Sequence, residues 1–236
     1  RAFWPGLRHT VPVMNAAAKK PVGQPATVAD LLALPEDDRY EIIDGALVPK
    51  EAGSGRHGYA QGRTYQSLGP FNRRAGGPPE RPGGWWFATE VLIQFLPTQL
   101  RRPDLAGWRR ERLAELPSQI PITVLPDWVC EVLSPSNAST DTVKKMRLYH
   151  QCHIPHYWLI DPIAETLSVF RHTPDGYLQT VAATGRTTGK RTIATATSRT
   201  GPPRWATPRS ASSIVCSAAS ALRTTSPADA RPSWLK

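Results

Sequence analysis

Apolar positions in this chain come in short, dense runs separated by polar breaks, a rhythm that favours strands over long helices. The runs RYEIIDGALVPK, WWFATEVLIQFL, DWVCEVL, HYWLIDP, TLSVFRH and GYLQTV are rich in β-branched and aromatic residues. The first contains Asp44-Gly45, a two-residue hairpin signal, and the last two flank Pro174-Asp175-Gly176, a second turn. WWFATEVLIQFL reads as one long strand. RRPDLAGW reads as a short edge strand, because Pro103 brings no backbone donor to a ladder. Three segments read as helices. TVADLLALPEDD starts on a Thr27 cap and stops at Pro35, a second runs from His57 to Asn72, and STDTVKKMRLYHQCH is capped by Ser139 or Thr140. GGPPERPGG is a loop, and GWRRERLAELPSQIPI is a polar connection with one helical turn at most. The strand–helix–strand unit from Asp127 to Asp161 requires a parallel pair with a right-handed crossover, so the fold class is mixed α/β with a central sheet.

Composition changes the boundaries of this picture. The 236 residues are 40% hydrophobic, enough for one ordinary domain with tails. Beyond Val181 the sequence becomes rich in Ala, Thr, Ser and Arg, without a helical or strand period. Residues 182–236 therefore read as a tail too poor in apolar groups to order itself, and the abrupt change reads as translation in a shifted frame, with a native disordered basic tail as the alternative. Residues 1–26 read as an extension, with RAFWPGLRHTVPV lying upstream of a start at Met14. The domain proper is expected over 27–181.

Charge follows the same division. The net +10 is concentrated in the tail, where nine Lys or Arg face only Asp229, a surplus of eight. Up to Val181, 20 basic and 18 acidic residues leave a surplus of two, so the global charge is no argument for DNA binding. No apolar stretch approaches the roughly 18 residues of a membrane span, and no apolar leader is present, so a cytoplasmic location and no membrane partner are expected. Cys130, Cys152 and Cys216 have neither disulfide-framework nor zinc spacing, and Cys130 reads as a core residue. His150, His153 and His156 straddle a helix end and Pro155, which argues against a zinc site. No phosphate-loop pattern occurs in GRHG or GGPPERPGG.

Candidate chemistry rests on three residues. Glu131 is an acid inside the apolar run DWVCEVL, and a buried charge requires a partner or a metal. Asp104 follows Pro103, and Lys145 lies on the helix after the Glu131 strand. Two carboxylates on neighbouring strands can hold Mg²⁺, which takes oxygen ligands and retains waters. A nearby ammonium can orient a water or steady developing phosphorane charge. Asp141, Lys145 and Tyr149 recur every four residues on one helix face, whereas Lys144 is turned away by about 100°. Competing structural readings are a turn for Asp104, since Pro-Asp is a common turn pair, and a simple ion pair for Glu131 with Lys145. His57 reads as a helix-start or core histidine with a phosphate contact as the alternative, Tyr157 and Trp158 as core aromatics, and Asp161 as a strand terminator.

YEIIDG, the His57 helix, RPD, EVLSPS, D-x-x-x-K-x-x-x-Y and IPHYWLIDP stand in one order along 27–181. In that order they resemble the Uma-type restriction-endonuclease family of the PD-(D/E)XK nuclease superfamily. The resemblance implies a restriction-endonuclease-like mixed central sheet flanked by helices. It also implies Mg²⁺- or Mn²⁺-dependent hydrolysis of DNA phosphodiesters, with a homodimer as the arrangement for cutting both strands. Asp104 and Glu131 match the metal-binding acids. The superfamily lysine two residues after the second acid is Leu133 here, and Lys145 takes the matching position on the helix. Glu41 in YEIIDG matches a further family acid and is an additional candidate ligand. A domain that retained this fold for binding nucleic acid or protein without cleavage is the alternative, favoured by the near-neutral charge of the region up to Val181. If the tail is dispensable, proteases should cut first beyond about Ala182. Truncation there should leave the far-UV spectrum and melting temperature unchanged; an unfolded truncated chain would show that the tail packs.

Overall fold

The computed structural model describes residues 24–35, 38–79, 81–134 and 138–184, with 138–141 as backbone only. Ten strands and three helices are assigned among them. Thr27 starts α1 (Val28–Leu32) through a reciprocal capping box with Asp30. Next come β1 (Tyr40–Ile43) and β2 (Ala46–Pro49), turned by Asp44 and Gly45 at φ 50° and 78°. Both values are left-handed, as a two-residue hairpin of this twist requires. Helix α2 (Gly55–Ser67) opens on Ser54, whose hydroxyl accepts the His57 amide, and ends five residues short of the expected Asn72.

The largest departure from expectation lies in WWFATEVLIQFL. Instead of one strand it forms β3 (Trp85–Thr89) and β4 (Ile93–Leu96), which belong to different sheets. The break falls at Glu90, held at φ 57°, a conformation that side-chain-bearing residues rarely adopt. The Glu90 amide leaves the ladder direction and donates to Pro103 O (3.2 Å). Period and propensity cannot foresee this, because both halves are good strand sequences. RRPDLAGW also differs from its expected edge position. Gln99–Arg101 forms β5, between β1 and β4, and Leu105–Arg109 forms β6, between β7 and β3. Pro103 sits in the gap between the two ladders, so neither loses a donor. The connection after β6 contains turns and no helix.

Strand β7 (Trp128–Val132), helix α3 (Ala138–Gln151) and β8 (His156–Asp161) form the expected unit, with β7 and β8 parallel. The hairpin of β9 (Thr166–Thr173) and β10 (Gly176–Thr184) completes the described chain. Strand β10 continues three residues beyond Val181 and buries Ala183, so the packed segment exceeds the boundary set by composition. The expected extension over 1–23 and the tail from residue 185 lie outside the described residues.

The strands form a four-stranded sheet, β2-β1-β5-β4, and a six-stranded sheet, β10-β9-β8-β7-β6-β3. The larger sheet is covered on both faces. Trp128, Cys130, Trp158 and Leu105 pack on one side with Leu68 and Phe71 from the end of α2. Val129, Tyr157 and Ala106 pack on the other with Leu148 and Tyr149 of α3. Every residue of β7 is consequently buried, which is why its sequence is a continuous apolar run rather than an alternation. Gly107 permits a close approach within this core: a Cβ there would lie 2.7 Å from the Phe87 ring. Phe87 and Trp128 instead meet edge to face at 5.3 Å over the bare backbone. Asp161 accepts the Ile163 and Ala164 amides and so closes β8.

His156 opens β8 in a buried position, where desolvation and then the charges of Arg109 and Arg171 push its pKa down to about 4. The unfolded chain therefore binds a proton that the fold refuses. Stability should fall as pH drops from 6.5 towards 4, by about 3 kcal/mol from this group. Denaturant titrations of the parent and of His156→Gln should show that excess slope only in the parent. Parallel slopes would mean that His156 is solvated in solution.

Candidate active site

The site is assembled where the two sheets meet. Strand β6 lies antiparallel to β7 with Leu105 opposite Cys130, so the preceding Asp104 lies beside Glu131. Asp104 and Glu131 are buried to 3% and 4% exposure. Both line a cleft of about 810 Å³ together with Glu41, Lys50, His57, Gln61, Glu90 and Lys145.

Asp104 is held from three directions. Oδ2 accepts the Val132 amide (2.7 Å) and lies 3.1 Å from His57 Nε2, while Oδ1 lies 3.2 Å from Lys50 Nζ. Burial alone would raise its pKa. The His57 hydrogen bond, the Lys50 charge and the Val132 amide outweigh burial and hold the carboxyl well below the usual carboxylate range. His57, on the first turn of α2, is raised in return, chiefly by its bond to Asp104.

Glu131 has a different environment. Lys145 Nζ donates to Oε2 (2.9 Å) and the Tyr149 hydroxyl donates to Oε1 (2.5 Å). Burial is the dominant influence and, with the neighbouring Asp104 charge, raises the pKa against the pull of Lys145. The two acids therefore differ: Asp104 is firmly ionised, whereas Glu131 is closer to taking a proton. Lys145 and Tyr149 share a face of α3, as their spacing predicts, and Lys144 is exposed. The Asp141 side chain lies outside the described residues. Tyr157 is fully buried at the cleft wall, and its hydroxyl has no hydrogen-bond partner among the described residues.

Glu41 reaches the same cleft, but its carboxylate accepts the Arg102 amide (2.6 Å) and faces Arg101 at 3.7 Å. That position fixes the segment leading into Asp104. His150 and His153 both pack on His172, with ring centroids at 4.4 Å and 5.1 Å, while His156 is buried apart from them at the start of β8.

A sequence profile of the Uma2 family, described as putative restriction endonucleases, matches residues 28–197. The chain belongs to that family. No curated protein matches it. Among solved structures, it is similar to the crystal structure of a putative nuclease belonging to DUF820 from Anabaena variabilis ATCC 29413. The TM-score is 0.51 at 23% identity, covering 66% of this chain and 84% of that one. At this identity the likeness is one of fold, and it agrees with the α/β nuclease architecture expected above. The Uma2 match continues past Thr184, into residues the structure does not describe.

Sequence reasoning missed Lys50, Gln61 and Glu90, whereas His57 is the buried helix-start histidine expected and in addition contacts Asp104. Lys50 Nζ donates to Glu90 Oε2 (2.6 Å) and to Arg102 O (2.6 Å) as well as facing Asp104. Gln61 donates to Glu90 Oε1 (3.2 Å) and Asp104 O (2.8 Å). The signal for Glu90 was present: a lone acid inside WWFATEVLIQFL has the same oddity as Glu131 inside DWVCEVL.

The two halves of the Glu131–Lys145 pair should respond unequally to substitution. Lys145→Met leaves a buried acid with one partner fewer and should cost about 3 kcal/mol. Glu131→Gln removes the desolvated charge, keeps an acceptor for Tyr149 and leaves Lys145 facing the cleft with its side chain 15% exposed. Its cost should stay below about 1 kcal/mol. Urea denaturation of both variants checks this, with Lys144→Met as a neutral control. Equal losses would make the pair a mutual structural bridge.

Proposed function

We propose that this protein hydrolyses DNA phosphodiester bonds with Mg²⁺ or Mn²⁺, using Asp104 and Glu131 as metal ligands and Lys145 beside the attacking water. The observation that carries this reading is the meeting of two buried carboxylates, one just before β6 and one on the adjoining β7, at one cleft with a lysine bonded to one of them. Among the described residues no three His, Cys, Asp or Glu form a ready-made metal cage. The donor set nevertheless fits a hard cation, because Mg²⁺ binds through one or two carboxylates and keeps several waters. Asp104, whose carboxyl is held well below the usual carboxylate range, would supply a ligand already deprotonated. When bound, such an ion supplies Lewis acidity at a phosphoryl oxygen and a more acidic water.

The chain's own groups would orient and stabilise. Lys145, held at 2.9 Å from Glu131, places an ammonium where charge grows on the phosphate. Tyr149 fixes the Glu131 rotamer from the same helix face, and His57 with the Val132 amide fixes Asp104. This rigidity keeps the reacting geometry narrow.

Nicking of supercoiled plasmid in Mg²⁺, abolished by chelator, tests the reading. Asp104→Asn, Glu131→Gln and Lys145→Met should each slow nicking by about 100-fold or more, while Lys144→Met retains it. A folded parent that binds DNA or RNA but cleaves neither would establish the non-catalytic alternative. Loss of cleavage in Lys144→Met alone would move the role to the other lysine.

A further inference from the structure

Beside the carboxylate pair lies a second convergence of oxygens, and it already holds a cation. Lys50 follows β2 and points inward, its side chain 15% exposed. Its ammonium meets Glu90 Oε2 at 2.6 Å, the Arg102 carbonyl at 2.6 Å and Asp104 Oδ1 at 3.2 Å. Two carboxylates and a backbone carbonyl, drawn from the turn at Glu90 and the linker carrying Arg102 and Asp104, are the oxygen ligands that hard divalent cations use. The chain adopts an unfavourable conformation to form this arrangement. Glu90 stands at φ 57°, and its other oxygen is fixed by Gln61.

We propose that Lys50 permanently occupies the place of a second cation, so that the cleft takes one divalent ion where a two-metal site would take two. This rests on the metal-dependent reading above. In two-metal phosphodiesterases a pair of ions about 3.5–4 Å apart shares a bridging carboxylate and clamps the attacking and leaving oxygens. Here Asp104 is the shared carboxylate. Its Oδ1 is committed to the Lys50 ammonium, and its Oδ2, which also takes the Val132 amide and faces His57, would share the exchangeable ion with Glu131. The fixed charge cannot be diluted away, so affinity for the exchangeable ion should not depend on filling a weaker second site. The consequence for substrate is a lysine on each flank of the acids: Lys50 at Asp104 and Lys145 at Glu131.

Bound Mn²⁺, counted by loss of the free-ion paramagnetic resonance signal and by calorimetry on the full chain, tests the assignment. The parent and Lys144→Met should bind one ion per chain. Lys50→Met leaves Glu90, Asp104 and the Arg102 carbonyl without their ammonium and should bind two. Lys50→Met with Glu90→Leu removes a ligand as well and should return to one. If Lys50→Met unfolds in chelator, saturating Mn²⁺ should restore its far-UV spectrum, with two ions bound. Failure of Mn²⁺ to do so would overturn the proposal. Two ions in the parent, or one in a folded Lys50→Met, would overturn it while leaving the metal-dependent reading intact. No ion in the parent would overturn both.

Discussion

The carboxylate of Asp104 joins three parts of the molecule that share no hydrogen-bonded ladder at that point. One oxygen receives the Val132 amide of the central strand and faces His57 at the start of α2. The other faces Lys50 at the end of the small sheet's hairpin. A residue buried to 3% exposure is thus surrounded by donors from both sheets and a helix. In a low-dielectric interior such charge-assisted bonds are strong when complete and costly when one is missing. The arrangement of the sheets around the cleft, and the ionisation that suits Asp104 to hold a cation, therefore have one origin. Glu131 differs because its partners come from a single helix and because burial, rather than pairing, dominates its surroundings.

That difference also explains what could be foreseen from sequence. The Glu131, Lys145 and Tyr149 constellation follows from local rules: an acid in a buried strand, then a helix whose four-residue spacing brings two donors to one face. The hairpin at Asp44-Gly45 and the parallel β7–β8 unit were legible for the same reason, since turn chemistry and segment length specify them. The division of WWFATEVLIQFL was not legible. Its two halves satisfy strand propensity equally well, and Glu90 turns left-handed because its carboxylate is gripped by Lys50 from 40 residues away. Tertiary contacts overrode a local preference there. Pro103 misled in a related way: it argued for an edge, but it occupies the short gap between β5 and β6, both interior to their sheets.

The near-neutral charge of the region up to Val181 has a counterpart in the fold. The acids and bases up to Val181 nearly cancel, and at the cleft they are brought together as bonded pairs rather than spread over a surface. Attraction for a polyanion in this region is accordingly local, carried by the few ammonium groups beside the acids. Long-range steering by net charge would be weak and salt would screen it further.

The break at Glu90 has a consequence for genetics. One codon specifies both the path of the chain between two sheets and the electrostatic setting of the cleft. Alleles at this codon would be pleiotropic, lowering protein abundance and biochemical output together, so a survey of inactive alleles would not reveal which duty had failed. If Glu131 serves the proposed chemistry, codon 131 would separate the two phenotypes, because glutamine keeps the shape and a hydrogen-bond acceptor while removing only the charge. Evolution would then face the same asymmetry: drift at 131 would silence the cleft and spare the scaffold, whereas drift at 90 would be purged whether or not the chemistry is under selection.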